Sequence, residues 1–281
     1  MQCKDKKIVI EAETGLFDLH LREIAKYRDL IWLFVKRNYS TRYKQMILGP
    51  AWLIISPIFT IITYAIVFGG IAGLSTDGVP QLLFYLAGNI FWSFFAECVA
   101  GTASTFTSNA GVFGKVYFPR LVTPISQIIT TTFDFLIRLV LFFVFAVFYY
   151  FQGYSTYLTG ALLYIPALLL QVGLLGLGIG IIVSALTTKY RDLQVLVDFG
   201  MRIWMYGTPV IYSISLVPAA YLWVVMLNPV SSATLMFRDI FFVGTVVPNV
   251  YWLLSWVITI VVLSVGILLF NRVEKTFMDT V

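Results

Sequence analysis

From Asp18 to Lys44, apolar residues recur at helical spacing as Leu21, Ile24, Tyr27, Ile31, Phe34 and Val35, with Arg22, Lys26, Asp29, Lys36 and Arg37 mostly between them. The pattern predicts an amphipathic helix with a basic face, lying along a membrane surface or packed on a soluble partner. Beyond Lys44 this period gives way to long apolar runs. No charged residue occurs between Lys44 and Asp77, a stretch longer than the roughly 20 residues with which a helix crosses a bilayer. Six spans are predicted, over Gly49–Ala72, Gln81–Thr102, Ile125–Phe151, Leu158–Leu186, Leu196–Tyr212 and Val250–Phe270. Two further apolar pieces, Val217–Leu227 and Thr234–Val243, are too short to cross as helices and predict re-entrant or interfacial helices between spans five and six. The expected fold is all-α and polytopic: residues 1–47 form an N-terminal region with the surface helix, and residues 48–281 form a single six-helix transmembrane domain.

Composition supports lipid-spanning helices over one globular core, since 59% of residues are apolar, 12% are charged and the mean hydropathy is +0.88. The distribution of charge supplies an orientation. Residues 1–47 hold 10 of the 19 Lys and Arg. With the loops around Lys115 and Arg120 and around Lys189 and Arg191, and the end at Arg272 and Lys275, 16 lie on one side against Arg238 on the other. Both termini are therefore expected in the cytoplasm. A net charge of +5 that sits beside hydrophobic spans reads as orientation and not as nucleic-acid binding. The first residues, Met1 to Lys7, lack a signal-peptide core, so the N-terminus is expected to be retained. Cys3 and Cys98 belong to different environments, and neither a disulfide nor thiol chemistry is expected.

Polar groups inside the spans are the candidates for chemistry. Asp134 and Arg138, and Asp198 and Arg202, are acid–arginine pairs at i, i+4, the spacing that puts both groups on one helix face. Asp134 and Arg138 are expected to pair, either to neutralise the arginine or to line a conduit, because a lone charge at mid-bilayer costs about 2.5 to 3.5 kcal/mol. Glu97 has no local partner in the sequence and is a candidate proton carrier. Trp92, Trp204 and Tyr206 can stack on sugar rings in a conduit or serve packing and interfacial belts. Gly176-x-x-x-Gly180 is the spacing of close helix packing; a nucleotide-binding loop needs a preceding strand and a phosphate-reaching lysine, and neither is found there. The one histidine is His20, no metal cluster is spaced along the chain, and no P-loop occurs. ATP-driven work would require another chain.

Four segments together resemble the permease subunits of ABC exporters for bacterial surface polysaccharides, which carry O-antigen, capsule or teichoic acid. They are Arg42-Tyr-Lys-Gln-Met-Ile-Leu-Gly-Pro-Ala-Trp52 with Pro57, Gly111-Val-Phe-Gly-Lys-Val-Tyr-Phe-Pro-Arg120, Thr188-Lys-Tyr-Arg-Asp192, and Leu227-Asn-Pro229 followed by Phe237-Arg238. The resemblance covers Leu21 to Arg272 and implies a homodimer in the bacterial cytoplasmic (inner) membrane. Each copy is expected to contact an ATPase subunit that holds ATP and Mg, with no cofactor in this chain, and to move a lipid-linked polysaccharide. It further implies contact with the ATPase at Lys115, Tyr117, Phe118, Pro119 and Arg120, with Lys189 and Arg191 in the second basic loop. Arg42, Tyr43, Gly49, Pro50, Trp52 and Pro57 become a hinged junction, and Pro218, Asn228, Pro229, Phe237 and Arg238 an outer gate. Two other functions are consistent with the same spans: an ABC exporter of drugs or lipids, and an ion-coupled transporter using Glu97 and Asp134.

Overall fold

A computed structural model of the chain describes residues 21–44, 47–113, 115, 118–154, 160–187, 192–242 and 249–277. Its eleven α-helices are α1 (Leu21–Lys26), α2 (Arg28–Tyr43), α3 (Trp52–Tyr64), α4 (Gln81–Ala103), α5 (Thr105–Phe113), α6 (Val122–Phe151), α7 (Tyr164–Thr187), α8 (Leu193–Tyr206), α9 (Leu222–Leu227), α10 (Pro229–Phe241) and α11 (Asn249–Phe277). No strand occurs among the described residues. Among the described residues five helical stretches are long and apolar enough to cross a membrane, six if the bent α9–α10 pair counts as one span. Helices satisfy most backbone groups internally, so this is the architecture that apolar sequence adopts in lipid.

The long α4 is the axis of the bundle, packed by α7, α6 and α10 and buried along most of its length. Hydrophobic collapse drives little association between helices in a bilayer, so closeness of approach matters more. The glycines of α7 supply it on two faces. A Cβ at Gly176 would sit 2.5 Å from Cys98 Cβ of α4, Gly180 meets Thr102 of α4, and a Cβ at Gly178 would sit 2.9 Å from Leu263 Cα of α11. The Gly176-x-x-x-Gly180 spacing therefore works as packing. Changing Gly176 to leucine is expected to push α7 off α4 and to lower the midpoint of thermal aggregation in detergent by several degrees; an unchanged midpoint would count against this contact as a determinant of assembly.

Several boundaries differ from the sequence reading. Residues 105–113, for which no element is predicted, form α5, set off from α4 by a turn at Ser104. The expected helix over the fifth span, Leu196–Tyr212, is α8, 14 residues ending at Tyr206 and about 21 Å long. It stops because Gly207-Thr208-Pro209 follows, and proline disfavours helix in the residue before it and lacks an N–H to continue the ladder. The polar end at Asn271–Thr276 does not stop α11, which runs to Phe277. The two short apolar pieces before it fall in α9 and α10, which are bent by 103°, and α10 starts at Pro229, five residues before the expected Thr234.

That bend is fixed by Asn228. Its side-chain oxygen caps α10 by accepting from the Val230 N–H at 3.1 Å, its amide donates to Thr208 Oγ1 at 2.8 Å, and Pro229 takes the first helical position. Phe237 and Phe241 of α10 then join Phe91, Phe135 and Phe142 in a buried aromatic cluster, with ring centroids about 5 Å apart. These phenylalanines supply much of the core.

Candidate functional site

The surface helix α2 rests on the start of α6 and carries the polar half of the site. Phe34 and Val35 are buried while Trp32 and Leu33 are exposed. Phe34 packs on Phe118 (centroids 5.7 Å apart) and with it on Val122 at the entry to α6. At the end of α2, Arg42 reaches Asp134 of α6 and forms an ion pair with it. One turn further along α6, Arg138 forms an ion pair with Glu97 of α4. Two cross-helix pairs therefore stand where one intrahelical pair was expected. The Asp134 carboxylate is 1% exposed, so the packed neighbours, and not solvent, supply its counter-charge. Glu97, which has no local partner in the sequence, finds one 41 residues away.

Beside these pairs, α2, α5, the end of α4 and the start of α6 enclose a polar cavity of about 420 Å³. Arg37 projects to its wall. Its Nη2 donates to Asn109 Oδ1 at 2.6 Å and to Asn38 Oδ1 at 3.3 Å, and its guanidinium carbon lies 4.5 Å from the centre of the Phe34 ring. Asn38 in turn donates to Gln127 Oε1 at 3.3 Å. Partial burial lowers the Arg37 pKa from its ordinary value, yet a guanidinium remains protonated at neutral pH. Sequence reasoning passed over Arg37, Asn109 and Gln127, because a basic residue on a surface helix and amides in a polar loop carry no individual signal.

At the far end of the bundle, Arg238 was expected to be an outer-side charge. It is 2% exposed and holds backbone: Nη1 donates to the carbonyls of Pro209 (2.7 Å) and Tyr212 (3.4 Å), and Nη2 to Val210 (2.8 Å) and Phe84 (3.3 Å). The guanidinium also stacks 3.7 Å above the Phe84 ring. Gly88 makes the room, since a Cβ there would stand 2.6 Å from Arg238 Nη2 and from the Val210 carbonyl. Nearby, Asp77, in the left-handed conformation at φ 53°, accepts from Ser213 Oγ and, at 2.8 Å, from Ser215 Oγ. Loop 73–80, the turn after α8 and the bent pair are thereby tied together.

The remaining predicted residues divide by environment. Lys115 is exposed, Phe118 and Arg120 are buried and Pro119 is intermediate. Tyr117, Lys189, Arg191 and Cys3 lie outside the described residues, as does the Tyr43 side chain. Gly49 is buried at φ 46°, a conformation glycine tolerates, so the chain turns there before the exposed Pro50 and Trp52 open the first span; Pro57 is buried within it. Trp92 is buried against Phe95, Trp204 packs on the other side of Phe95 at 5.2 Å, and Tyr206 is exposed. Pro218 is exposed, unlike Pro229 and Phe237. Asp198 and Arg202 both lie on exposed positions of α8. Among the described residues no group of three or more His, Cys, Asp or Glu is arranged to hold a metal ion.

Comparison with known proteins places this geometry in a wider set. The family model described as ABC-2 type transporter matches residues 29–242. An "O-antigen export system permease protein RfbA" of Klebsiella pneumoniae is 27% identical over 253 residues, 89% of this chain and 94% of that protein. A second protein of that name from the same species is 26% identical over 252 residues, with the same coverage of both chains. One from Myxococcus xanthus is 25% identical over 224 residues, 79% of this chain and 84% of its own length. The matched range runs from the surface helix through the bent pair.

Proposed function

The chain belongs to the ABC-2 type transporter family, and from that premise we propose that it is the transmembrane subunit of an ATP-driven exporter of a lipid-linked polysaccharide of the O-antigen type. The observation that carries this reading is near end-to-end similarity to permeases named for O-antigen export. In this reading the protein is a homodimer in the bacterial inner membrane with both termini cytoplasmic, and a separate ATPase chain binds ATP and Mg. Residues 1–47 form the cytoplasmic region and residues 48–281 the membrane domain. The exposed apolar faces of α3 and α8, including Phe59, Ile62, Leu196 and Phe199, suit contact with a second copy or with lipid.

Coupling to the ATPase would enter at Lys115. That residue is exposed, while the adjoining Phe118 is packed against Phe34 of α2. A push there would pass through the aromatic pair to α2, and from Arg42 to Asp134 in α6. Arg120 is buried, so it supports the segment from within and is not the surface to which a partner docks. The bent pair, held by Asn228 and Arg238, is suited to serve as the outer gate. An ion-coupled transporter is favoured less, because Glu97 is held in an ion pair with Arg138. The names of the relatives favour polysaccharide over drugs as cargo.

The reading is tested by deleting the gene and complementing with the wild type or with Lys115→Glu. Wild type is expected to restore surface polysaccharide and to co-purify with an ATPase chain in mild detergent. Lys115→Glu is expected to reach the membrane at normal level yet to cut surface polysaccharide at least several-fold. Restoration of no polysaccharide by the wild type, or purification with no nucleotide-binding chain, would defeat the proposal.

A further inference from the structure

We propose that the polar cavity under α2 is a binding site for a phosphate or diphosphate ester group. The donor set selects an anion. Two guanidinium groups, six hydroxyls and three side-chain amides line the space, and no carboxylate or aromatic ring does. Aspartate and glutamate would be expected around a cation, and an aromatic face or carboxylate around a neutral sugar. The charge balance leaves a surplus. Asp134, outside the lining, offsets Arg42. No carboxylate among the described residues lies within ion-pair distance of Arg37, whose Nε and Nη1 donate to no described protein group. Gln127 Nε2 likewise has no described acceptor. Five of the six hydroxyls donate to nearby backbone carbonyls, so the free donors include Nε and Nη1 of Arg37 and Nε2 of Gln127. A planar guanidinium edge beside an amide matches the tetrahedral oxygens of phosphate.

The site's position bears on the source of the group. It sits at the end of α4 and the start of α6, under the surface helix, where a lipid headgroup has access while its chain stays in the bilayer. A cavity of about 420 Å³ falls within the range of small-ligand pockets and accommodates a headgroup, not a long polymer. The inference rests on the exporter reading only for assigning the group to the lipid end of the cargo; the anion chemistry stands without it.

Asn109→Asp is the sharpest variant. It is isosteric, and it puts a carboxylate where Arg37 now meets an amide oxygen at 2.6 Å, so it neutralises the surplus charge while keeping the contact. Binding of labelled inorganic diphosphate to the purified full chain, together with any ATPase that accompanies it, is expected to weaken at least tenfold in Asn109→Asp and in Arg37→Gln. Asn109 Nδ2 donates to the Thr105 carbonyl at 2.9 Å, a bond that aspartate loses, so the thermal midpoint is measured for both variants and that of Arg37→Gln is expected to stay near that of wild type. Polyprenyl diphosphate in phosphatidylcholine nanodiscs is expected to displace the label, and the corresponding polyprenol is not. Displacement by inorganic anion alone would assign the site to a soluble phosphate. Absence of binding to wild type, or equal binding by both variants, would overturn the proposal. Surface polysaccharide after wild-type complementation is scored separately, so a failed exporter reading is distinguished from a failed anion site.

Discussion

Arg238→Ala is expected to lose the folded protein from the detergent-soluble membrane fraction, or to lower its thermal midpoint by far more than a surface change does. The guanidinium reaches the carbonyls of Pro209, Val210, Tyr212 and Phe84, two of them at 2.7 and 2.8 Å. Each buried acceptor left without a donor costs about 1 to 3 kcal/mol. The arginine itself is buried at some expense, so the net loss is less than the sum, roughly 3 kcal/mol or more. Alanine also leaves a void beside Phe84, and Gly88 offers no side chain to fill it. Arg238→Lys should fall between, because an ammonium keeps the charge but lacks the fork that serves several carbonyls at once. The check is fluorescence-detected size exclusion after heating. An alanine variant as heat-resistant as wild type would show that the turn after α8 is held by other contacts.

The difference between what was legible and what was not follows from where each signal resides. Spans are written as continuous apolar runs because lipid penalises anything else, so Gln81–Ala103 was readable almost to the residue. Gly176 and Gly180 were readable because helical spacing alone puts them on one face. The partners of Asp134 and Arg138 were not. Sequence offers only the neighbour one turn away, whereas the fold brings up Arg42 and Glu97, 92 and 41 residues distant. The partners of Arg238 were hidden for a related reason. A charge between spans looks exposed until the chain folds carbonyls over it, and those carbonyls come from backbone, which leaves no trace in residue identity. The pairing of Arg37 with Asn109 spans 72 residues and joins two unremarkable polar positions. A helix over α2 was legible from its period, but what packs beneath it was not.

What holds α2 to the membrane domain sets the second large effect. Arg42→Ala is expected to destabilise the protein by about 3 to 5 kcal/mol, since it strands the Asp134 carboxylate, 1% exposed, without the cation that compensates its burial. Asp134→Asn added to that background should recover much of the loss, because an amide needs no counter-charge. The double variant would then be more stable than the single, an ordering that a simple sum of two harmful changes cannot give. Export is expected to separate from stability here. The double variant folds but has lost the charged link through which α2 grips α6, so it should remain poor at delivering polysaccharide to the surface even when its amount is restored. Arg138 and Glu97 are left intact in both variants, so the bundle retains its inner pair while the outer one is removed. If the single variant proves as stable as the double, Asp134 tolerates burial without Arg42, and α2 is held by its contacts at Phe34 and Phe118 and by the hydrogen bonds of Arg37 and Asn38.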